Sequence, residues 1–146
     1  MSNADLFDLG KPVIRVELDG DPVAKGRPRF SPKSGTAYTP VKTQRYEQRL
    51  AWAAQVTMRG RPLLESALSV TIHVYKDIPK SWSKKKRADA VTGALRPVGK
   101  PDADNFAKCM DALNLIVWRD DSQVVDLYVR KWYSERPRLI FLISEA

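Results

Sequence analysis

The alternation of side chains over residues 67–75 constrains the fold of this chain more than any other feature. Apolar residues recur at every second position of Ala-Leu-Ser-Val-Thr-Ile-His-Val-Tyr, which is the period of a strand that buries one face. The expected inward set is Leu68, Val70, Ile72 and Val74. The opposite face holds Ser69, Thr71, His73 and Tyr75. The sequence therefore predicts a strand here, with a layer of other elements covering its apolar face.

The chain has too few histidines and cysteines for several common kinds of active site and metal site. His73 is the only histidine, and its place inside a regular strand argues against a catalytic base. This disfavours a Ser-His-Asp triad and nucleases whose base is a histidine. The single Cys109 excludes an intrachain disulfide, and with one histidine it cannot form a zinc site alone.

Further strands are predicted near both ends of the chain. Residues 13–19 alternate well enough to form a first strand, and residues 123–133 form another. We expect residues 137–144 to pair with 123–133 as a hairpin around 134–136. A chain of 146 residues fits one domain, which we assign to residues 13–146. Residues 1–12 are assigned to an N-terminal tail.

Two helices are predicted between these strands. Thr39 and Pro40 fit the N-cap and first position of a helix over residues 40–59. Apolar spacing at Phe106, Met110, Leu113 and Val117 predicts a helix over residues 103–117. Lys42, Arg45 and Arg49 recur at helical spacing on an outer stripe of the first helix. They could touch DNA, but a solvated helix face is the favoured interpretation.

Residues 100–126 are locally acidic in a basic protein, and we call them the acidic stretch. Six aspartates and three basic residues give this stretch a net charge of −3, whereas the whole chain carries +8. Crowded carboxylates repel each other unless a cation lies among them. The stretch therefore suggests a hard metal ion facing a phosphate backbone. The six aspartates are Asp102, Asp104, Asp111, Asp120, Asp121 and Asp126.

Each acid also has a purely structural interpretation. Asp102 could only cap the helix, and Asp104 could only pair with Lys108 four residues on. Asp120 or Asp121 could only be a turn residue. A calcium EF-hand is excluded, because counting from Asp102 places no glycine at position 6 and no glutamate at position 12.

Two basic segments flank these acids in the sequence. The first contains Lys25, Arg27, Arg29 and Lys33, and the second is an insertion at residues 80–100 with seven basic residues and one acidic residue. The insertion contains Lys84, Lys85, Lys86, Arg87 and Lys100. Cations of this kind suit phosphate oxygens, although solvated loops are the alternative. We expect Ser83 to cap a short helix through Val91, and the insertion could be disordered without a ligand.

The overall charge and hydropathy bound the partners. A sequence pI near 9.7 favours a polyanionic partner. No apolar run is long enough to span a bilayer and no signal peptide is recognisable. We therefore expect no membrane partner and a place in the cytoplasm.

The acidic stretch resembles the RusA family of Holliday-junction resolvases, which are bacterial phage and prophage endodeoxyribonucleases. The family pattern is a basic residue, Asp-x-Asp-Asn, a lysine, Asp-Ala-Leu and then Asp-Asp-x-Gln-Val. The chain matches it with Asp102-Ala-Asp104-Asn105, Lys108, Asp111-Ala-Leu113 and Asp120-Asp121-Ser-Gln123-Val124. The loop from Lys25 to Phe30 resembles the family's N-terminal basic segment.

The resemblance implies roles for these residues. It implies that Asp102, Asp104 and Asp121 bind the metal, with Asp120 a less certain neighbour, and that Lys108 is a catalytic or transition-state-stabilising lysine. It also implies an α/β (α+β) fold with a mixed β-sheet flanked by helices, a homodimer, and Mg²⁺ as cofactor with Mn²⁺ as a substitute. No small-molecule cofactor is expected.

The hypothesis is a Mg²⁺-dependent endonuclease that resolves four-way junctions by paired symmetric cleavage in DNA recombination and repair. The metal would activate water and neutralise phosphate charge, and the basic loops would hold the DNA backbone. One alternative is a nuclease for other branched DNA, another is a non-catalytic DNA-binding protein, and a third is a nonspecific polyanion binder. Trp118, Trp132 and Phe141 could lie either in the core or at a dimer interface.

Overall fold

The computed structural model describes residues 14–25 and 29–146, and at residue 29 it describes the backbone only. The predicted tail at 1–12, the first residue of the predicted first strand and Arg27 lie outside the described residues. The strands are β1 (Ile14–Asp19), β2 (Arg29–Phe30), β3 (Ala37–Tyr38), β4 (Leu68–Asp77), β5 (Val124–Ser134) and β6 (Arg138–Glu145). The helices are α1 (Val41–Thr57), α2 (Lys84–Thr92), α3 (Ala103–Ala107) and the 3-10 helices Lys108–Leu113 and Asp121–Gln123.

The main sheet has four strands in the order β1-β6-β4-β5. β6 runs antiparallel to both β1 and β4, whereas β4 and β5 are parallel. A parallel pair needs a long crossover connection, and here α2, α3 and both 3-10 helices lie between β4 and β5 in the chain. The expected α+β architecture with a mixed sheet is confirmed.

The expected hairpin between the last two strands is wrong, because β4 lies between β5 and β6. Only residues 135–137 connect the two strands, and they pass over the end of β4. Two strand spacings are about 10 Å, and four extended Cα–Cα steps reach about 13 Å. A short connection can therefore skip a strand. The alternating pattern reports which side chains face inward and does not report which strand is the neighbour.

One face of the sheet forms the core with α1 and the segment that follows α3. The predicted inward residues of β4 are fully buried, and Phe141 of β6 packs with them. Trp118 is also fully buried, and its Nε1 donates to Asn114 Oδ1 at 2.7 Å. Trp118 and Phe141 are therefore core residues, which resolves two of the three aromatic positions left open by the sequence.

Helix α1 is the predicted first helix with slightly different ends. It spans Val41–Thr57, and Pro40 occupies the N-cap position in place of Thr39 without any side-chain capping bond. Tyr46, Leu50 and Ala54 are buried on one face. The helical spacing was therefore sufficient to place the inner face of α1 on the sheet.

The predicted helix over residues 103–117 is wrong beyond its first turns. The α-helix ends at Ala107, and a 3-10 helix continues to Leu113. Leu115 then adopts a positive φ of 64°, a conformation that is unfavourable for a residue with a Cβ. The apolar residues still reach the core, since Phe106 and Leu113 are fully buried. Packing between α1 and the sheet thus overrides the helical period of the sequence.

The basic insertion is folded onto β5. Ser83 Oγ accepts from the Lys86 backbone N–H at 3.2 Å, as predicted, and α2 ends at Gly93 in the left-handed conformation. Trp82 contacts Tyr133 edge to face, with ring centroids 5.0 Å apart. The Arg96 guanidinium lies 3.5 Å from the centre of the half-buried Trp132 ring. The insertion therefore has a folded conformation in this structure.

Candidate functional site

The entry to the acidic stretch is held by lysines from two adjacent strands. Lys131 Nζ on β5 donates to the carbonyl oxygens of Gly99 at 2.7 Å and Pro101 at 2.9 Å. Lys76 Nζ on β4 donates to the carbonyl oxygen of Lys100 at 3.1 Å. Burial and the neighbouring Lys76 charge lower the pKa of Lys131, and Asp102 opposes them. These contacts fix the backbone directly before the first candidate metal ligand.

Asp102 and Asp104 lie at the start of α3 with exposed carboxylates. Asp102 occupies the N-cap position, but its side chain makes no capping hydrogen bond. Lys108 Nζ donates to Asn105 Oδ1 at 3.3 Å, and no Asp104–Lys108 ion pair forms. Both structural interpretations of these acids are therefore wrong in their details. Within the described residues neither carboxylate accepts a hydrogen bond or forms an ion pair, although the charge of Asp102 acts on Lys131. Carboxylates are hard oxygen ligands of the kind that Mg²⁺ prefers.

Asp111 is engaged by Lys25. Lys25 Nζ donates to Asp111 Oδ2 and lies 3.4 Å from Glu47 Oε1 of α1. Burial lowers the pKa of Lys25, but its contacts with Asp111 and Glu47 outweigh burial and raise that pKa overall. The predicted role of Lys25 as a phosphate contact thus competes with an internal ion-pair cluster.

The backbone of this region is also joined. The Lys25 N–H donates to the Asn105 carbonyl oxygen at 3.2 Å, and the Cys109 thiol donates to the Val23 carbonyl oxygen at 3.6 Å. Lys25 therefore ties the start of the N-terminal basic segment to α3 and the 3-10 helix that begins with Lys108. Burial raises the pKa of the Cys109 thiol to about 11, so this thiol is protonated and unreactive at neutral pH.

Asp120 and Asp121 have different surroundings. Hydrogen bonds with the side chain and the backbone of Ser122 lower the pKa of Asp120. In the backbone bond, Asp120 Oδ2 accepts from the Ser122 N–H at 3.0 Å. Asp120 therefore caps the 3-10 helix that leads into β5. Asp121 is half-buried, and nothing in the described part of the chain gives its carboxylate a hydrogen bond or ion pair. Asp121 is the better of the two as a free ligand.

The candidate metal ligands do not gather in a single chain. Within residues 14–25 and 29–146, no group of three or more acidic, histidine or cysteine side chains is close enough to hold a metal ion. Residues 99–101 lie against Lys131, whereas Asp121 precedes the start of β5 at Val124. Seven strand residues rise roughly 23 Å. The two groups of acids thus lie near opposite parts of β5.

The predicted DNA-binding cations are dispersed over the surface. Lys33, Lys84, Lys85 and Lys100 are exposed. Lys86 Nζ lies 4.0 Å from the centre of the Trp82 ring, and Arg87 donates to the Pro79 carbonyl oxygen at 2.9 Å. The side chains of Lys86 and Arg87 therefore stabilise the insertion itself.

His73 has the structural role that its strand position indicates. Only 7% of it is exposed, and its Nδ1 accepts from Trp132 Nε1 at 3.2 Å. Burial and then Arg130, followed by other nearby arginines, lower the pKa of His73 to about 4. The imidazole is therefore neutral at physiological pH.

Sequence reasoning assigned no role to three residues that organise the site, namely Glu47, Gln123 and Lys131. Gln123 Oε1 accepts from the backbone of Arg119 and Asp120, while its Nε2 donates to the carbonyl oxygens of Leu64 and Ser66. Gln123 belongs to the family pattern, which was a signal for its importance. Glu47 is the only acidic residue of α1, and this could have indicated that it pairs with a specific cation. Nothing in the pattern singled out Lys131.

These features define an α+β protein in which unpartnered carboxylates at a helix start lie within a strongly basic chain. The model of the family described as Endodeoxyribonuclease RusA matches residues 19–144. The chain therefore belongs to the RusA endodeoxyribonuclease family, a family of Holliday-junction resolvase nucleases, as the resemblance implied.

A curated relative is also similar over nearly the whole chain. The "Uncharacterized protein YqaN" of Bacillus subtilis (strain 168) is 43% identical over 140 residues, which cover 91% of this chain and 96% of the relative. The described helices include none with the length and apolar character needed to cross a bilayer.

Proposed function

We propose that this protein is a Mg²⁺-dependent, structure-selective endodeoxyribonuclease that cuts four-way DNA junctions, with a role in recombination and repair and an origin in a phage or prophage. The observation that carries the proposal is the pair of exposed carboxylates of Asp102 and Asp104, which accept no hydrogen bond from any described residue, in a chain of the RusA family. A helix N-cap that does not use its own carboxylate leaves that oxygen free for a cation.

The residues present fit a divalent ion. Asp102 and Asp104 of one copy would hold Mg²⁺ with Asp121 of a second copy, and Asp120 would serve chiefly as a cap because Ser122 occupies its Oδ2. When bound, the ion supplies charge neutralisation at the phosphate and an activated water. Among the described residues, Lys108 Nζ donates only to Asn105 Oδ1, at 3.3 Å. Its ammonium would therefore turn toward the scissile phosphate and stabilise developing negative charge.

The positions of the basic residues suggest where DNA would lie on the protein. Lys33, Lys84, Lys85 and Lys100 are exposed and would contact phosphates, whereas Lys25, Lys86 and Arg87 hold protein groups and would contribute less. Such backbone contacts give affinity that falls steeply with salt. Selectivity for a junction then depends on the shape of the DNA more than on its base sequence.

A homodimer is part of the proposal, and the edge strand β5 supports it. No neighbouring strand covers the outer edge of β5 in the described residues, and Val125 and Tyr128 are 61% and 56% exposed. Long exposed edges of this kind favour pairing with another chain. An antiparallel pairing of two copies about Tyr128 would set Asp126 of each copy opposite Arg130 of the other.

This pairing also bears on the separated acids. In an antiparallel pair, the Asp121 end of each β5 meets the Lys131–Ser134 end of the other. Lys131 holds the backbone that precedes Asp102. The dimer would therefore bring Asp121 of one copy toward Asp102 and Asp104 of the other, and its two-fold symmetry matches two opposed strands of a junction.

A cleavage assay tests the function directly. Purified protein is incubated with a labelled synthetic four-way junction and with a linear duplex of the same arms, in Mg²⁺ and in EDTA. We expect paired symmetric nicks on the junction only, abolished by EDTA. Asp102→Asn and Asp104→Asn should remove cleavage and retain junction binding, with Asp89→Asn on α2 as a charge-matched control.

Other outcomes separate the alternatives. Tight junction binding without cleavage in Mg²⁺ or Mn²⁺ would replace the enzyme with a DNA-binding protein. Faster cutting of flaps or forks than of four-way junctions would keep the nuclease and change its substrate. Equal affinity for junction and duplex would indicate a nonspecific polyanion binder.

A further inference from the structure

The exposed surface of α1 divides into two chemically different flanks. At 3.6 residues per turn, Lys42, Arg45, Arg49, Trp52 and Val56 fall within an arc of about 80°, and we call them the basic flank. All five are exposed. The neighbouring exposed arc holds the neutral residues Gln44, Gln48 and Gln55. Cations that served only for solubility would not need to gather on one side with the exposed aromatic residue.

Within the described residues, no acidic side chain pairs with the cations of the basic flank. The structure gives Lys42 and Arg45 no ion pair within the described residues, and Glu47, the only acid of α1, is directed to Lys25 at 3.4 Å. Arg49 Nη2 donates to the Asp19 carbonyl oxygen at 3.1 Å, which orients its guanidinium at the end of β1. The flank therefore presents three positive charges, one of them already positioned.

Trp52 adds an exposed aromatic surface next to these charges. Its exposed fraction is 66%, which is high for a residue type that is usually well buried. It borders an open groove of about 490 Å³ between α1 and Leu18 of β1. The groove is lined by Leu18, Arg45, Gln48, Arg49, Trp52 and Ala53. Its walls are thus mainly apolar, with two guanidiniums at the rim.

We propose that the basic flank binds a DNA strand with unpaired bases, placing phosphates on Lys42, Arg45 and Arg49 and one base on Trp52. A duplex offers its phosphates but keeps its base faces stacked, so it could use the cations without using Trp52. An unpaired base has a free face that stacks on an aromatic side chain regardless of base identity. This inference rests on the proposed function, because branched DNA supplies strands that are unstacked near the branch point.

The sequence alone favoured a solvated face for Lys42, Arg45 and Arg49. Three structural facts change that interpretation: the separation of the cations from the glutamines, the absence of acidic partners in the described residues, and the groove beside the exposed Trp52. Together they match the combination of cations and aromatic surface that binds single-stranded nucleic acid.

Binding to two probes in EDTA tests the proposal without cleavage. The probes are a labelled oligothymidine of about 12 nucleotides and a duplex of the same length, measured by fluorescence anisotropy. Trp52→Ala should weaken oligothymidine binding by about 5-fold to 150-fold and change duplex binding less than about twofold. Trp52→Tyr keeps an aromatic ring and should retain most of the affinity for oligothymidine. Gln55→Ala on the neutral flank is the matched control.

The cations are tested by salt dependence. The double variant Arg45→Gln, Arg49→Gln should reduce the slope of log K against log salt for oligothymidine by about 1.4, since each phosphate contact contributes about 0.7 for single strands. Trp52→Ala should leave this slope unchanged. All substituted side chains are exposed, and thermal unfolding verifies that each variant is folded.

Two results would overturn the inference. The first is that Trp52→Ala binds oligothymidine as tightly as the wild type does. The second is that Trp52→Ala weakens the binding of oligothymidine and of duplex equally. In either case wild-type cleavage of the four-way junction remains a separate measurement. Loss of the flank proposal with cleavage intact leaves the nuclease standing, whereas absent cleavage removes the proposed function whatever the flank binds.

Discussion

Asp120 and Gln123 together cap the start of the 3-10 helix Asp121–Gln123. Asp120 Oδ2 accepts from the Ser122 N–H at 3.0 Å, and Gln123 Oε1 accepts from the Asp120 N–H, also at 3.0 Å. This reciprocal arrangement satisfies backbone donors that a helix start leaves open. It also occupies one carboxylate oxygen of Asp120, whereas no described residue gives the carboxylate of the adjacent Asp121 a hydrogen bond or ion pair.

Substituting these two aspartates separately should give opposite results. Asp120→Asn keeps a capping oxygen and should retain most junction cleavage, whereas Asp121→Asn should abolish cleavage while junction binding persists. Single-turnover cleavage and gel-shift binding measure the two effects. Equal loss of cleavage in both variants would show that Asp120 is also a ligand.

Gln123→Ala should destabilise the fold. Its amide joins the backbone of residues 119–120 to that of residues 64–66 through four hydrogen bonds. At about 0.5–1.5 kcal/mol each for typical bonds, and with partial exposure, we expect a loss of about 2–3 kcal/mol in unfolding free energy. Urea denaturation measures it. Gln55→Ala, which truncates an exposed glutamine of α1 in the same way, is the matched control and should change stability little.

Lys25→Gln should affect stability more than DNA affinity, because Lys25 is paired with Asp111 and Glu47. Charge-assisted bonds of this kind support a loss of about 1–2 kcal/mol at pH 7. The pKa of Lys25 is raised in the fold, so its contribution is complete below the unfolded pKa of about 10.5 and is lost as pH rises through the folded value. The wild type and Lys25→Gln should differ less in unfolding free energy above pH 10.5 than at pH 7. Denaturation of both proteins at the two pH values measures this.

The salt dependence of DNA binding supplies the complementary test of Lys25. A phosphate contact would reduce the slope of log K against log salt by about 0.9 on duplex arms when it is removed. An unchanged slope in Lys25→Gln supports the internal ion pair. A reduced slope together with unchanged stability would restore the phosphate-contact role predicted from the sequence.

His73 should make the fold sensitive to mild acid. Its pKa falls from about 6.5 when unfolded to about 4 in the fold. The unfolded chain therefore binds a proton first as pH decreases, and stability is complete above pH 6.5 and declines toward pH 4, by up to roughly 3 kcal/mol. His73→Gln keeps an acceptor for Trp132 and should lack this component. Parallel stability curves of the two proteins between pH 7 and 4 would contradict the assignment.

Charge reversal on β5 should reveal its pairing. Asp126→Arg or Arg130→Asp alone would place like charges opposite each other twice in a symmetric pair, weakening self-association by roughly tenfold. The double variant Asp126→Arg, Arg130→Asp restores opposite charges and should restore the dimer. Sedimentation equilibrium measures all four proteins. A double variant that associates as weakly as the single variants would place the interface elsewhere.

Much of the site was recoverable from the sequence because its signals are local. The Asp-x-Asp-Asn and Asp-Asp-x-Gln-Val segments are contiguous, and the capping roles of Ser83 and Asp120 depend on neighbours within three residues. The alternation in β4 placed its buried face correctly, because burial of apolar area favours one face of a strand irrespective of its neighbours.

The sequence by itself determined the four strands of the main sheet, the inner face of α1, the apolar face of β4 and the family to which the chain belongs. Only the tertiary structure decided that β4 separates β5 from β6, that the helix after Asp102 tightens into a 3-10 helix, and that Lys25 pairs with Asp111 and Glu47. Local periodicity records which side chains leave water, and it contains no information on distances between remote segments. Those distances follow from packing the whole core at once, where a residue such as Lys25 finds partners far along the chain.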